Sequence, residues 1–441
     1  MSDTSTSSLV VGTTDVSPSP INFAERSTLI DALRGFALCG VLLSNSIVWF
    51  SGRALIPAAQ AEALARSPQE KVISNVFQLF VNQKFLTIFA FLFGLSFSLQ
   101  LSRAGARGAA ILPLYVRRLL VLLGFGGVHY FALWSGDILH TYALVGFLLL
   151  LFYKSSNRTL LTWWVVLVGV VPLLVAAGLR WGPVFLHGAE AAKALKEMTQ
   201  AQEAEQRAAL LAALSSDSFW TSQLGNARFC LEVLLRPGQL LVISLTLGRF
   251  LLGLLAGRLG VLQDVERHRH LLRRIWWGGL VLGLLIGIPG LVVLRLRNAG
   301  VWTPPDNLWM FLLNGLQEMG TSVLGVAFVA FFALLFQREW WRRVLSFLAP
   351  VGRMALTNYL VQTVVSICIY DGWGLGLIGG APVSRSAALA LGIFAAQVGT
   401  SHWWLKRFRF GPAEWLWRSL TYGRAQPLRH GTQGNSVVNT G

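Results

Sequence analysis

The chain has 441 residues, of which 54% are hydrophobic and 13% charged, and its mean hydropathy is +0.57. About a quarter of the residues of a soluble domain are charged, so this composition excludes a soluble globular protein. A formal net charge of +17 would indicate nucleic-acid binding in such a protein. Here the basic residues lie in short loops between apolar stretches, as expected of a membrane protein, so we expect no nucleic-acid partner.

About ten apolar stretches of bilayer-spanning length follow one another along the chain. The Ser- and Thr-rich start lacks the basic residues of a signal peptide, so residues 1–25 are predicted to form a disordered cytoplasmic tail. With about 20 apolar residues per span, transmembrane helices are predicted near residues 28–50, 77–101, 115–134, 137–153, 159–180, 237–262, 271–294, 308–336, 345–370 and 386–405. The polar end predicts a second disordered tail at 426–441. The predicted fold class is all-α, a polytopic transmembrane helix bundle over residues 26–425.

The loops between the spans alternate in basic charge. The basic residues predicted to share one side are Arg103, Arg107, Arg117, Arg118, Lys154, Arg158, Arg267, Arg269, Arg273, Arg274, Arg338, Arg342, Arg343, Lys406, Arg407 and Arg409. The positive-inside rule places that side and both termini in the cytoplasm. Residues 185–225 mix Glu and Lys at helical spacing, which predicts a helical extracytoplasmic excursion. One alternative stays open at the short turn WSGD (134–137). If the chain formed a single bent helix there, the membrane orientation of all later helices would be inverted.

Polar side chains inside the spans are the candidates for function. A charged group at the bilayer centre costs about 2.5–3.5 kcal/mol on insertion scales and persists mainly where it lines a protein interior or a wet cavity. The outer layer contains Asn45, Lys84, His129, Asp137 and His140. The cytoplasmic layer contains Asp31, Arg34, Arg353, Asn358 and Gln362. Arg249, Gln317 and Glu318 are predicted near mid-depth.

The outer layer supplies the candidate catalytic residues. A neutral His129 is a competent general base near pH 7, and Asp137 is placed to orient it across the hairpin. The alternative is structural, with Asp137 capping the fourth helix and His129 bonded to a carbonyl. His140 follows Asp137 by three residues on the same helical face. Two such groups and three isolated cysteines do not make a metal site, so no metal is expected.

The cytoplasmic layer supplies the candidate binding site for an anionic ligand. Arg34 is three residues from Asp31, so a local ion pair is one explanation. The other is that guanidinium groups near this end bind phosphate, whose geometry they match: Arg26, Arg34, Arg117, Arg118 and Arg353. Arg249 and Glu318 either neutralise each other or belong to a proton or ion pathway. The segment GPAEWLWRSLTYG (411–423) is predicted to form a short helix in the headgroup region.

Five strings resemble motifs of one bacterial family: RSTLIDALRGFALCGVLLSNS (26–46), KFLTIFAFLFGLSF (84–97), GGVHYFALWSGDILHTYALVG (126–146), VGRMALTNYLVQT (351–363) and GPAEWLWRSLTYG (411–423). They look like those of the YeiB-like inner-membrane proteins, the family built around domain of unknown function 418. That family is distantly similar to transmembrane acyltransferases through the Asp-x-x-Arg-Gly start of the first helix, here Asp31 to Gly35. A second link is the G-x₆-Y-x-x-Q/H helix, here Gly352, Tyr359 and Gln362.

The resemblance implies a membrane-embedded histidine that transfers an acyl group from cytoplasmic acyl-CoA. The first-helix histidine of the acyltransferase-3 proteins has no counterpart here, because the run after Arg34 contains Asn45 instead. The assignment to His129 therefore rests on its depth and chemistry.

These observations predict a multi-pass protein of the bacterial inner (plasma) membrane that acylates an extracytoplasmic small-molecule, glycan or lipid acceptor. The predicted catalytic residues are His129, Asp137 and His140. The donor-binding residues are Asp31, Arg34, Arg117, Arg118 and Arg353, with acyl-CoA as the donor. The substrate-binding residues are Asn45, Lys84, Arg249, Glu318, Asn358 and Gln362. The alternatives are a proton-coupled transporter of a small solute, through Arg249, Glu318 and the outer His and Asp residues, and a scaffold that binds a partner through 187–222.

Overall fold

The computed structural model describes residues 28–65, 67–106, 112–303, 305 and 307–429. In these residues the chain forms helices and no sheet. The helices are α1 (Thr28–Asn45), α2 (Ala58–Ala63), α3 (Pro68–Phe80), α4 (Lys84–Ala106), α5 (Leu112–Ala132), α6 (Leu139–Leu149), α7 (Asn157–Val165), α8 (Val171–His187), α9 (Ala189–Leu214), α10 (Phe219–Leu234), α11 (Gly238–Arg258), α12 (Arg269–Asn298), α13 (Leu308–Phe336), α14 (Glu339–Ser346), α15 (Ala349–Arg353), α16 (Ala355–Tyr370), α17 (Val383–Leu405) and α18 (Pro412–Tyr422).

Within the described residues, seven helical segments are long and apolar enough to cross a membrane. They are Thr28–Phe50, Pro68–Arg103, Leu112–Ala132, Asn157–His187, Gly238–Arg258, Arg269–Asn298 and Leu308–Phe336. Two shorter apolar helical segments, Leu139–Phe152 and Ala355–Tyr370, accompany them. The prediction of an all-α polytopic bundle is confirmed, and the protein is an integral membrane protein.

Helix α1 lies at the centre of the bundle. Most of its residues are buried, and they join α4, α13 and α15–α17 in one apolar core. A helix that is apolar on all sides is typical of such a central position. The predicted span 345–370 is broken around Met354, where α15 ends and α16 begins. The break lets α15 press against α1 so closely that a Cβ on Gly352 would lie 1.8 Å from the backbone oxygen of Asp31.

Helices α5 and α6 form a hairpin. The loop 133–138 joins them, and a Cβ on Gly126 of α5 would lie 2.2 Å from the backbone nitrogen of His140 of α6. The alternative of one bent helix at WSGD is therefore wrong. The loop after α6 lies at the end of the bundle where α11 ends, because Arg258 donates to the carbonyl of Ser155 at 2.5 Å. Two of the predicted basic loops thus share one end, whereas the orientation of the termini in the membrane stays a prediction.

The excursion predicted at 185–225 is a pair of helices. Helix α9 is mostly exposed, and α10 continues to Leu234, beyond the predicted end. Helix α10 lies over the C-terminal end of α5: Asn226 donates to the carbonyls of Tyr130 and Phe131 at 3.0 and 3.3 Å and accepts from the Ser135 N–H at 2.6 Å. The last carbonyls of a helix have no partner within the helix, so α10 provides one.

Two predicted boundaries differ from the structure. The helix predicted at 77–101 is interrupted, because α3 ends at Phe80, α4 begins at Lys84, and Gln83 between them has a positive φ of 67°. The chain also remains packed beyond the predicted end of the domain at 425, since Arg409 N–H donates to the Leu428 carbonyl and Trp415 Nε1 donates to the Gln426 carbonyl. The predicted tail 1–25, residues 430–441 of the predicted tail 426–441, and Arg26 and Arg107 lie outside the described residues.

Candidate functional site

Asp137 connects the two predicted catalytic histidines. Asp137 lies in the α5–α6 loop, and its Oδ1 is 2.7 Å from Nδ1 of His129 on α5. Its Oδ2 is 2.8 Å from Nδ1 of His140 and accepts from the His140 backbone N–H at 2.8 Å. An ionised carboxylate only accepts hydrogen bonds, so each histidine donates through Nδ1. The structure therefore brings together all three residues predicted as catalytic.

The carboxylate of Asp137 is held in its charged form by these contacts. Burial by itself would raise the pKa of Asp137, but the hydrogen bonds from His129 and His140 outweigh it and hold the pKa below its ordinary value. The capping role is also present, because the bond to the His140 backbone N–H is one that an aspartate makes at the start of a helix. Asp137 thus has a structural function as well as orienting two imidazoles.

The other nitrogen of His129 contacts a residue that the sequence analysis did not select. His129 Nε2 lies 2.9 Å from the hydroxyl oxygen of Thr363 on α16. Tyr359, one turn earlier on α16, has its hydroxyl oxygen 3.5 Å from Asp137 Oδ1. The same Tyr359 oxygen accepts a hydrogen bond from the Ile138 N–H at 3.3 Å. Asp137, His129 and Thr363 therefore form a continuous chain of hydrogen bonds of the type found when a carboxylate orients a basic imidazole toward a hydroxyl.

His129 is closed to solvent. Its exposed fraction is 1%, and it is absent from the residues that line the described cavities. On the excursion side, α10 covers the end of α5 through Asn226. The prediction that an acceptor enters from outside stays a prediction.

A cavity of about 470 Å³ reaches this cluster from the basic end of the bundle. Its mouth carries five arginines and two carboxylates: Arg34, Arg103, Arg118, Arg353, Arg418, Asp31 and Glu414. Its deeper wall is apolar and contains Val41, Leu86, Phe89, Leu92, Phe93, Leu122 and Leu139. Tyr359 lines the cavity, and its hydroxyl lies beside Asp137. Tyr359 is therefore the contact between the cavity and the buried histidines.

Four of the five residues predicted to bind the donor line this cavity, and Arg117 does not. Arg34 donates to Asp31 and to Ser96, both at 2.7 Å, so the predicted ion pair forms within the cavity wall. Arg118 stacks on the ring of Trp417 at 4.0 Å. Consecutive residues of a helix point about 100° apart, so Arg117 turns away from the cavity, toward Gly423.

Helix α18 closes one side of the cavity mouth. Glu414 accepts from the backbone N–H groups of Leu356 and Thr357 at 2.7 and 3.2 Å, and from the Thr357 hydroxyl at 2.6 Å. It therefore caps the start of α16, which carries Tyr359. Burial raises the pKa of Glu414, and the hydrogen bonds from Thr357 and Leu356 oppose that rise. The segment predicted to form a short helix is helix α18, and it forms part of the cavity wall, while its position in the headgroup region stays a prediction.

A second cavity, of about 650 Å³, contains two of the residues predicted to bind substrate. Lys84 and Glu318 line it, and Lys84 Nζ donates to the Gln78 carbonyl at 2.8 Å. Arg249 lies behind Glu318 at 3.7 Å and donates to the Ser322 hydroxyl at 3.1–3.2 Å. Among the described residues, no direct hydrogen bond or ion pair joins Arg249 and Glu318 to the Asp137 cluster, and the proton relay through these residues stays a prediction.

The remaining predicted substrate residues lie away from both cavities. Asn358 donates to Ser401 of α17 at 3.0 Å, and Gln362 donates to Gln397 of the same helix at 2.8 Å. Both therefore join α16 to α17, and neither lines either cavity. Asn45 ends α1, just before a wider turn at Ser46–Phe50, and lines neither cavity.

Sequence reasoning missed several residues of the site. Tyr359 appeared only as a letter of the family motif, and Thr363 one turn later was not selected. Their signal was the polar face of α16 at i and i+4 spacing. Arg418 and Trp417 were visible in the WLWR segment, but the sequence alone favoured an interfacial position for them.

Comparison with known proteins places this architecture in a family. A family model described as "Protein of unknown function (DUF418)" matches residues 256–424. The uncharacterized protein YxaH of Bacillus subtilis is 33% identical over 430 residues, which cover 93% of this chain and 97% of that protein. The chain belongs to the YeiB-like DUF418 family. The uncharacterized protein YeiB of Escherichia coli is 30% identical over 409 residues, covering 91% of this chain and 98% of that protein. No solved structure matches the chain.

The DUF418 match and the candidate site overlap in part. The matched residues 256–424 contain Tyr359, Thr363 and Glu414, which come from α16 and α18. His129 and Asp137 lie before that region. The site of this DUF418 protein is thus assembled from both halves of the chain.

Proposed function

We propose that this protein is a membrane-embedded acyltransferase that uses acyl-CoA as its donor. The observation that carries the proposal is the first cavity, which joins an arginine-rich mouth to an apolar interior that ends beside a buried Asp–His–Thr chain. Leu86 and Arg103 both line it and are 17 positions apart on α4, which corresponds to about 26 Å along the helix axis. A ligand with an anionic head and a long apolar tail fits this distribution of charge.

Each part of the donor has matching chemistry. Guanidinium groups bind phosphate through paired, charge-assisted hydrogen bonds, so the mouth is suited to the phosphates of CoA. The apolar interior is suited to the acyl chain, since burying each methylene contributes about 0.8 kcal/mol. The positive-inside rule places the basic mouth on the cytoplasmic side, where acyl-CoA is available.

The proposed chemistry is attack of an acceptor hydroxyl on the thioester. The acceptor oxygen bonds to the carbonyl carbon, the C–S bond breaks, and the leaving thiolate takes up the proton that the hydroxyl lost. His129 Nε2 carries that proton between the two, and Asp137 stabilises the imidazolium through Nδ1–H. In the structure the Thr363 hydroxyl occupies the position on Nε2 that an acceptor hydroxyl would take. Proton abstraction by a positioned base contributes about 10²–10⁴-fold in rate.

Donor binding is tested first, because it needs no knowledge of the acceptor. Acetyl-CoA and a medium-chain acyl-CoA are titrated by calorimetry into the detergent-purified protein, into Arg118→Gln and into Arg117→Gln. The two variants remove the same charge from neighbouring positions, but only Arg118 lines the cavity. Because a hydrogen bond to a charged group contributes about 1.5–3 kcal/mol, we expect binding to weaken at least tenfold in Arg118→Gln and less than twofold in Arg117→Gln.

Two results would contradict the proposal. Equal weakening in both variants would show a non-specific effect of charge, and no saturable binding to the folded protein would remove acyl-CoA as the donor. The catalytic role is tested separately, by His129→Ala. We expect this variant to bind the donor with unchanged affinity and to form no acylated product, so wild-type product levels in His129→Ala would exclude His129 as the base.

A second candidate function is proton-coupled transport of a small solute. The favouring observation is that two cavities approach each other within the bundle, one of them beside the ion pair of Arg249 and Glu318. Transport predicts solute flux in vesicles that responds to a pH gradient and needs no CoA ester. Flux that persists in Arg118→Gln but is lost in Glu318→Gln would favour this candidate over acyl transfer.

A further inference from the structure

The second cavity lies at the end of the bundle opposite the arginine-rich mouth. Lys84, at the first turn of α4, lines the second cavity, and Arg103, near the last turn, lines the first. The 19 positions between them correspond to about 28 Å along the helix axis, close to the thickness of the hydrocarbon core of a bilayer. Lys84 of the second cavity and Arg103 of the first therefore lie near opposite membrane surfaces.

The charge of the second cavity favours an anion. The described residues that line it include four cationic side chains, Lys84, Arg180, Lys196 and Arg297, and one carboxylate, Glu318. Lys84 is buried, and the other cations come from α8, α9 and α12, three separate helices. A surplus of positive charge beside a low-dielectric environment is stabilised by a bound anion.

The uncharged groups of this cavity favour a ligand that also carries hydroxyl groups and an apolar tail. The amide and hydroxyl side chains on its wall are Gln78, Asn82, Gln83, Asn314, Gln317, Thr303 and Thr321. Such groups both donate and accept hydrogen bonds, as a hydroxylated ligand requires. The apolar wall includes Leu79, Leu291, Leu294 and Phe311. Gly283 and Gly287 of α12 also line the cavity, and there the side chains of Leu324 and Leu79 pack close to the α12 backbone.

A thin wall separates the two cavities. On α1, Val41 lines the first cavity, and Ser44 one turn later donates to Asn82 of the second at 3.4 Å. On α4, only Phe85 stands between Lys84 of the second cavity and Leu86 of the first. The ligands of the two cavities would thus approach each other near the start of α4.

We propose that the second cavity binds the head group of an anionic, hydroxyl-bearing phospholipid, with its phosphate near Lys84, Lys196 and Arg297. The shared chemistry is that of a glycerol phosphate, either attached to a lipid or free. The binding itself does not depend on the first cavity. That the lipid hydroxyl is the acyl acceptor rests on the proposed function.

The test measures lipid binding by native mass spectrometry of the full-length protein in a neutral detergent. The probes are phosphatidylglycerol, phosphatidylcholine and free glycerol phosphate. The variants are Lys196→Gln and Arg297→Gln, whose exposed positions make misfolding a minor concern, and Arg207→Gln is the control on α9 outside the cavity. Each basic residue contributes about a factor of five to binding of an anionic lipid. We expect phosphatidylglycerol binding to weaken about fivefold in each cavity variant and to be unchanged in the control.

The outcomes distinguish a lipid ligand from a soluble one, and they test lipid binding separately from acyl-CoA binding. Preference for phosphatidylglycerol over both other probes supports a lipid site, whereas equal binding of free glycerol phosphate would indicate a soluble ligand and contradict the lipid assignment. Equal binding of phosphatidylcholine, or equal weakening in Arg207→Gln, would overturn the site. Arg118→Gln should leave phosphatidylglycerol binding intact. The proposal for acyl-CoA in the first cavity and the proposal for lipid in the second can therefore fail independently of each other.

Discussion

Replacing Asp137 by alanine and by asparagine separates the structural role of this carboxylate from its chemical role. Asp137→Ala leaves the three closest donors without this acceptor: His129 Nδ1 at 2.7 Å, and the Nδ1 and backbone N–H of His140, both at 2.8 Å. A buried donor without a partner costs about 1–3 kcal/mol. Losses that share one partner do not add fully, so we expect Asp137→Ala to lower the free energy of unfolding by about 3–5 kcal/mol.

Asparagine changes the proton arrangement instead. In the wild type, Oδ2 accepts a hydrogen bond from the backbone N–H of His140. A backbone N–H can only donate, so in Asp137→Asn the amide oxygen must occupy the position of Oδ2. The amide N–H₂ group of the variant then faces His129, which must accept through Nδ1 and carry its proton on Nε2. Neutral hydrogen bonds are about half as strong as charge-assisted ones, so we expect a loss of only about 1–2 kcal/mol. With Nε2 protonated, His129 cannot act as a base.

Stability is measured by reversible titration with SDS in mixed micelles, followed by tryptophan fluorescence, and activity by acyl transfer from labelled acyl-CoA. Both variants should be inactive, and only Asp137→Ala should be strongly destabilised. Equal stability of the two variants would refute the assignment of three donors to this carboxylate. Wild-type transfer by Asp137→Asn would refute the role of His129 as the base.

Three further predictions use the same titration. Gly40→Ala places a Cβ about 2 Å from the ring of Phe85 and should cost about 1–3 kcal/mol, while Gly124→Ala, with no atom within 4 Å of the new Cβ, should cost nothing; equal effects would contradict the packing of that ring. Glu414→Ala should cost about 2–4 kcal/mol through loss of the α16 cap, and Glu414→Gln about 1 kcal/mol, so an alanine variant as stable as wild type would exclude the cap. Burial raises the pKa of Asp371 to about 6, so the folded state binds the proton more tightly than the unfolded state, and stability should fall by about 1 kcal/mol from pH 5 to pH 7. In Asp371→Asn this dependence should disappear, and an unchanged slope would assign it to another group.

The fold class follows from properties that the chain carries locally. A stretch such as 308–336 must be helical and must cross the membrane, because a bilayer offers no partner for free backbone groups and only an apolar surface is tolerated there. The basic loops between such stretches are equally local, which is why the sequence predicted their grouping. The candidate catalytic residues were also found locally, since His129, Asp137 and His140 are within 11 positions of one another. Here the sequence lacked only the proof that the chain turns back at WSGD.

The binding surfaces depend on the orientation of each helix about its own axis and on how the helices pack. The type of a residue does not determine that orientation. Arg118 faces the first cavity and Arg117 does not, although the two are adjacent and chemically identical. Asn358 and Tyr359 are likewise neighbours, yet one contacts α17 and the other reaches Asp137. Thr363 meets His129 across 234 positions, a contact that exists only because α16 packs beside α5. The sequence by itself therefore determined an all-α membrane protein and pointed to His129, Asp137 and His140, which the structure brings together. Only the tertiary structure decided which side chains share a cavity, because neighbours on a helix point in different directions and distant helices supply the opposite wall.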